Sequence, residues 1–343
     1  MVTPASAAAH LQKGSRMNDS TAEVGAGRTV IVGAVRYAEL CGRGRQLLLD
    51  HGFTLIENQT TVPWTAEQLL AHIGTADAAV AGVEVFDQDA LAAAPALRII
   101  SRLGVGLDNV DLPAARARGI DVVNVPGGNA EAVAELTLGF ILSLLRRLPR
   151  MDEAARAGRW DRYVGGELAG KSIGLLGFGA IARLLASRLS GFDLTIKAYD
   201  PYADLDAAAK AGVDIVSLED AVRDVDIVSV HVPHLAETHH LVDDELIALM
   251  REGTLLINTS RGGLVDEAAL VRGLDSGRIA GAGLDVFEHE PVSPDNPLFR
   301  HDSVVTAPHA GADTKEAYDR IGWATAQAIV DVFSGRTPVH VAN

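Results

Sequence analysis

One cysteine, Cys41, stands among 343 residues. A single thiol excludes a disulfide within the chain, and cysteine scarcity fits a reducing compartment, so a cytoplasmic location is expected. Long hydrophobic runs are absent too. No stretch approaches the ~20 apolar residues that a membrane-spanning helix needs, and the N-terminal segment has no continuous apolar core of the kind a secretory signal carries. Positive charge is scarce, with 30 Lys and Arg against 45 Asp and Glu and a formal net charge of −15. That balance disfavours nucleic acid and anionic membranes as partners. A small anionic substrate stays compatible with it, provided arginines are concentrated locally.

The chain is long enough for two domains with separate cores. Residues 1–28 hold Pro4, an alanine run and several glycines without an apolar period, and read as a disordered lead-in in which Met17 is an alternative start. From there, short β-branched runs at 29–33, 54–57, 78–81, 99–101 and 122–125 alternate with amphipathic helical stretches. A long apolar helix is expected over 130–147, begun near Asn129 and stopped by Pro149. A second series of strands follows Trp160, with runs at 214–216, 227–231, 255–258, 280–285 and 304–306 and a closing helix over 314–333. Strands alternating with helices predict an α/β protein with parallel sheets. The simplest topology inserts a nucleotide domain (126–307) into a discontinuous substrate domain (29–125 and 308–343), with the chemistry in the cleft between them.

The most specific signal is Ser172-Ile173-Gly174-Leu175-Leu176-Gly177-Phe178-Gly179-Ala180-Ile181-Ala182, followed by a helix and then Thr195-Ile196-Lys197-Ala198-Tyr199-Asp200. It reads as strand, glycine turn, helix, strand, acid. Gly177 lets the strand turn sharply, Gly179 removes a side chain where a pyrophosphate approaches the backbone, and Ala182 allows close helix–strand packing. The helix N-terminus offers N–H groups to the phosphates. Asp200 is placed to hydrogen-bond the ribose of NAD and to repel the extra phosphate of NADP.

Three further segments supply chemistry. Arg261, in Asn258-Thr259-Ser260-Arg261-Gly262-Gly263, follows a strand and sits beside glycines that leave room for a ligand; its planar fork suits a carboxylate and a neighbouring carbonyl. His309 follows the last strand, and Glu290 ends Leu284-Asp285-Val286-Phe287-Glu288-His289-Glu290-Pro291. A histidine held by a carboxylate is a usable acid and base near neutral pH. His309 and Glu290 are expected to form that pair, with Glu288 the rival acid. The cluster His231, His234, His239 and His240 lacks the cysteines or paired carboxylates that would complete a metal site, so none is expected.

Taken in order, Arg102-Leu103-Gly104-Val105-Gly106-Leu107-Asp108-Asn109-Val110-Asp111, Gly128 through Glu135, the glycine fingerprint, Asn258 through Asp266, 285–291 and Pro308-His309 resemble the D-isomer-specific 2-hydroxyacid dehydrogenase family, the group that includes phosphoglycerate dehydrogenase. The resemblance runs from about Thr29 to the C-terminus. It implies two Rossmann-like or flavodoxin-like domains, NAD as cofactor, and Arg261, Glu290 and His309 as the catalytic triad. It also implies cofactor contacts from Gly177, Gly179, Ala180, Ile181, Asp200, Pro233, Thr238, Thr259, Asp285 and Gly311, with Asp285 near the nicotinamide amide. Gly82, Val83, Arg102, Val105, Gly106 and Arg261 are the implied substrate residues, the amides of Val105 and Gly106 taking the substrate carboxylate.

The implied reaction is hydride transfer between NAD(H) and a small 2-hydroxy or 2-oxo acid, closest in kind to a phosphoglycerate dehydrogenase of short form. Reduction of hydroxypyruvate or glyoxylate is the alternative. A different class, an NADH-sensing corepressor-like protein, shares the scaffold. Glu84 would repel a substrate phosphate unless it turns away, whereas Arg36 and Arg102 would attract one. The stretch 129–160 resembles a dimerisation arm, and its apolar helix would leave a large greasy patch on a monomer, so a two-fold homodimer is expected.

Overall fold

The computed structural model describes residues 23–343. Most of the expected lead-in, Met17 included, lies outside the described residues. Its last part is tied down: the Gly25 amide donates to the His51 carbonyl at 2.8 Å, so ordered packing begins before Thr29. Two compact units divide the chain, one running up to Val125 and resuming from Gly322 to Asn343, the other comprising Pro126–Ile321.

Unit 1 is a five-stranded parallel sheet of β1 (Thr29–Val32), β2 (Thr54–Glu57), β3 (Ala78–Ala81), β4 (Ile99–Arg102) and β5 (Asp121–Val123), in the order β2-β1-β3-β4-β5. All four residues of β3 are buried. A parallel strand covered on both faces reads as an unbroken apolar run, which is why the sequence shows it without alternation. Ile31, Ala79, Ala81, Ile100 and Val122 form one core with Leu69, Ile73, Phe86 and Leu91 from the covering elements. Each large aliphatic side chain buried there contributes about 1.5–3 kcal/mol. The helix Ala66–Ile73 starts at a reciprocal cap, in which the Thr65 hydroxyl accepts from the Gln68 amide and the Gln68 side chain accepts from the Thr65 amide. At the far edge, the Ala342 amide donates to the Val122 carbonyl and the Asn343 side chain binds Val122 N and Ile120 O. The edge of β5 is thereby covered.

Unit 2 holds β6 (Ser172–Leu176), β7 (Thr195–Tyr199), β8 (Val213–Ile215), β9 (Ile227–Val230), β10 (Thr254–Asn258), β11 (Ile279–Leu284) and β12 (Val304–Thr306), all parallel, in the order β12-β11-β10-β9-β6-β7-β8. The chain runs outward from β6 to β7 and β8, then returns to lay β9 on the other side of β6. That reversal makes the carboxyl ends of β6 and β9 the place where a ligand binds such a sheet.

Three expectations change here. The first long helix is Ala130–Arg146, and Arg147 breaks it in the left-handed conformation (φ 52°). Pro149 then lies in the first turn of a new helix, Leu148–Arg156, so it starts a helix where it was expected to stop one. The reason is that proline is well tolerated where the N–H would be unpaired anyway. Likewise, Ala134, Phe140, Ile141 and Leu144 of that first helix are buried in the core of unit 2 beside Ile173, Leu185 and Ile257. Part of its apolar surface is therefore packed inside its own unit, while Leu136, Leu138, Leu142 and Leu145 are only partly buried. The second unit also extends to Ile321 and includes the segment 308–321, which had been assigned to the substrate domain.

Candidate active site

The glycine turn sits at the reversal point. Gly177 has φ +101°, and a Cβ there would lie 2.7 Å from the His231 backbone at the end of β9, so only glycine fits. Gly179 caps the helix Ala180–Leu189 with no side-chain cap, and a Cβ on it would meet nothing within 4 Å. The first amides of that helix, those of Ala180 and Ile181 among them, therefore face open space with a positive dipole end behind them. Asp200 follows β7 directly; its carboxylate accepts the Phe178 amide and the Tyr202 amide, each at 2.8 Å. These bonds tie the acid to the turn and leave each oxygen a second lone pair. An uncapped helix end, a cleared backbone and an adjacent acid fit the pyrophosphate and ribose of a dinucleotide.

The remaining residues expected at the cofactor lie at the carboxyl ends of β9 to β12. Thr238 donates its hydroxyl to the Pro233 carbonyl at 2.7 Å and accepts the Leu235 amide, fixing the loop after β9. Thr259 is buried beyond β10, its hydroxyl 2.9 Å from that of Thr137. Asp285, 1% exposed at the end of β11, accepts the Ala310 amide on one oxygen (2.7 Å) and the Gly311 amide on the other (2.8 Å). Its carbonyl takes the His309 amide at 2.7 Å. Burial pushes the Asp285 carboxyl up, against those two amides. Asp285 thus organises the loop that carries His309, a task the sequence did not disclose.

His309 Nδ1 lies 2.7 Å from Glu290 Oε2, and the Glu290 carboxylate also accepts the Phe287 amide at 3.0 Å. The hydrogen bond to Glu290 holds the imidazole above its ordinary range, outweighing burial. Burial would raise Glu290, but the bonds from His309 and Phe287 prevail and hold it below the usual carboxylate range. The charge of Arg261 bears on both members of the pair. The Arg261 carbonyl accepts from Asn258 Nδ2 at 2.8 Å, and a Cβ on Gly262 would fall 1.9 Å from the Phe287 backbone. That close approach presses the arginine loop flat against the loop that carries Glu290. The rival Glu288 is engaged elsewhere, bound to His240 at 2.9 Å and to the Glu267 amide. All three residues of the expected triad come together within unit 2.

The other histidines form a separate group. His234 Nε2 is 3.2 Å from His239 Nδ1, and the His239 and His240 rings stack at 4.0 Å. His231 is pushed down to about 4 by burial and bonds Ser229 at 2.9 Å.

In unit 1, Gly82 and Val83 follow β3, and Arg102 ends β4 just before Val105 and Gly106. The amides of Val105 and Gly106 donate to no other described residue. Asn109 joins the two loops, its Nδ2 donating to the Glu84 carbonyl at 2.5 Å and the Gly82 carbonyl at 3.2 Å. In the sequence Asn109 is simply part of the 102–111 motif, and an amide side chain in a loop is the only signal of this role. Glu84 does turn away: it is buried, with Oε2 on the Gly82 amide.

A reversal-point glycine turn with an acid on the next strand, joined in one unit to a histidine–carboxylate pair and an arginine, has the features of a dinucleotide-binding unit that also carries an acid–base pair. Residues 138–311 match the family model described as D-isomer specific 2-hydroxyacid dehydrogenase, NAD binding domain. The chain belongs to the D-isomer specific 2-hydroxyacid dehydrogenase family, and unit 2 carries its NAD-binding domain. Among curated relatives, D-3-phosphoglycerate dehydrogenase of Mycobacterium tuberculosis is 43% identical over 279 residues, 79% of this chain and 53% of the relative. The chain spans about half the length of the curated relatives it matches. Among solved structures, TT0316 protein from Thermus thermophilus superposes with a TM-score of 0.84 at 32% identity, covering 92% of this chain and all of that one. The pyruvate reductase of Chlamydomonas reinhardtii gives 0.83 at 29% identity, covering 94% of this chain and 100% of that one.

Proposed function

We propose that this chain is an NAD-dependent D-2-hydroxyacid dehydrogenase that moves a hydride between C2 of a small 2-hydroxy acid and the nicotinamide. The observation that carries this reading is the 2.7 Å pair of His309 Nδ1 and Glu290 Oε2 with Arg261 beside it. Bound NAD supplies the hydride acceptor. Because Glu290 occupies Nδ1, the working nitrogen of His309 is Nε2. It takes the hydroxyl proton in oxidation and returns it to the C2 oxygen in reduction, while Glu290 stabilises the imidazolium. Arg261 polarises the C2 oxygen and clamps the carboxylate, which fixes the face presented for transfer. Within unit 1 the available amides of Val105 and Gly106 suit a carboxylate, and Asp200 favours NAD over NADP.

Similarity to the curated relatives makes D-3-phosphoglycerate the first substrate to try. A second reading, reduction of hydroxypyruvate or glyoxylate, is favoured by the inward turn of Glu84 between two outward valines. The test is oxidation of NADH, with NADPH in parallel, against phosphohydroxypyruvate, hydroxypyruvate, glyoxylate, pyruvate and bulkier 2-oxo acids. The expected result is turnover of at least one acid with NADH and much weaker use of NADPH. Tight NADH binding with no turnover of any acid would favour the NADH-sensing corepressor-like reading instead.

The reading includes a homodimer in the cytoplasm. Support for the dimer comes from the arm: Trp160 is 90% exposed, and Val164 and Leu148 are exposed near it in sequence. Light scattering coupled to size exclusion should give twice the 36.1 kDa chain mass, and Trp160→Asp should shift it toward one chain. A wild-type mass of one chain would overturn the dimer. The buried single cysteine is at home in a reducing compartment. Among the described residues, no helix is long and apolar enough to cross a membrane.

A further inference from the structure

The loop after β3 inverts the ordinary surface pattern. Glu84 is 4% exposed, whereas Val83 and Val85 on either side are 59% and 57% exposed. A buried carboxyl between two outward valines needs a cause, because acids almost never sit fully buried without a partner. Part of the cause is the Gly82 amide, which donates to Oε2 at 2.7 Å. Glycine makes the room: a Cβ on Gly33 would fall 2.6 Å from the carboxyl carbon. Asn109 fixes the turn from outside through the Gly82 and Glu84 carbonyls. Oε1 finds no partner among the described residues, and burial pushes the carboxyl up against the pull of the backbone amides and of Arg102.

A phosphate brings almost two negative charges and three acceptor oxygens, and is met by arginine forks or available amides. On this face of unit 1 several of both are already engaged. The Gly82 amide belongs to Glu84, the Leu103 amide to the Ala81 carbonyl and the Gly104 amide to the Arg102 carbonyl. Arg102 turns its guanidinium onto the Leu103 and Ala81 carbonyls, and Arg36 grips Glu39 with two bonds of 2.7 and 3.0 Å. With the substrate carboxylate on Val105 and Gly106, the neighbouring surface that Asn109 ties to that loop is 82–85.

We propose that Glu84 is a specificity-determining positioning residue. By taking the Gly82 amide it turns Val83 and Val85 outward, so that the C3 end of the substrate meets apolar surface and unphosphorylated 2-oxo acids are selected. This rests on the dehydrogenase reading and departs from the phosphorylated substrate named for the curated relatives.

The experiment is kcat/KM with NADH for phosphohydroxypyruvate, hydroxypyruvate and 2-oxobutyrate, on the wild type, Glu84→Ala, Glu84→Gln and Val83→Arg. The wild type should favour the two unphosphorylated acids by about tenfold or more, the scale of one unmet hydrogen bond to a charged group. Val83→Arg should move the ratio toward phosphohydroxypyruvate by a similar factor. Glu84→Gln, which keeps an acceptor for the Gly82 amide, should hold the wild-type ratio, and Glu84→Ala should narrow it, mostly through KM. A wild-type preference for phosphohydroxypyruvate, or a ratio unmoved in both Val83→Arg and Glu84→Ala, overturns the proposal while leaving the dehydrogenase reading intact. Silence on all three acids by protein that binds NADH overturns the dehydrogenase reading and this proposal with it.

Discussion

Replacing His309 by glutamine is expected to lower kcat by about 10²- to 10⁴-fold, the usual contribution of a positioned acid and base, with NADH affinity little changed. Glutamine keeps roughly the size of the imidazole and can still bond Glu290, but it cannot carry the proton. Steady-state turnover and NADH fluorescence titration, measured on the same preparation, separate the two effects. The pH profile carries the sign. Glu290 raises the His309 pKa above the ordinary histidine value, so the protonated form persists to higher pH. Reduction, which consumes that proton, should decline as pH rises through the raised pKa; oxidation, which needs the neutral ring, should increase through the same pKa. Both slopes should vanish in His309→Gln. A variant that keeps wild-type turnover, or that keeps the opposed slopes, would move the proton-transfer role to another residue.

Arg261→Lys is expected to cost about 10²- to 10³-fold in kcat/KM for every 2-oxo acid, the scale of losing one preorganised donor at the reacting oxygen, or about 2.7–4 kcal/mol of transition-state stabilisation. Charge is conserved in this change; what disappears is the planar fork, which grips a carboxylate and a carbonyl together. The backbone gives the lysine no freedom to adapt. Asn258 holds the carbonyl of position 261, and Gly262 leaves no gap against Phe287. Kinetics on wild type and variant with the same acid settle the matter. A loss confined to a few-fold would mean that Arg261 contributes only charge, as it does to the electrostatics of Glu290.

The strands were legible because buried parallel strands leave a plain trace. Runs such as Ala78–Ala81 and Ile227–Val230 are buried on both faces, largely apolar, and end in loops or turns, and their observed bounds fall within a residue or so of the expected ones. The His309–Glu290 pair was legible because both residues follow strand ends in segments short of other chemistry. What escaped were features that depend on three-dimensional neighbours. Pro149 was taken for a helix stop, although the left-handed turn at Arg147 had already ended the helix. For the apolar helix Ala130–Arg146, nothing local says that its unit's core will take up part of its surface. The second unit boundary falls inside the helix Lys315–Phe333, where no change of composition marks it. The loop-organising task of Asp285 escaped most completely: a carboxylate whose two oxygens bind amides 25 and 26 residues away leaves no periodic signature.

Asp285 closes β11, and through three backbone amides it governs the segment that begins at His309; Glu290 lies on the loop that leaves the same strand. The proposed proton shuttle, its carboxylate partner and the glycine turn all lie in unit 2, one contiguous stretch of chain, whereas the valines of the 82–85 loop belong to unit 1. On the proposed reading, the reaction and its selectivity would be separable inheritances. Drift or recombination in the first hundred residues would then redirect which acid is used without rebuilding the residues proposed to handle the proton. Directed libraries confined to that stretch would explore new substrates on a chemically constant background.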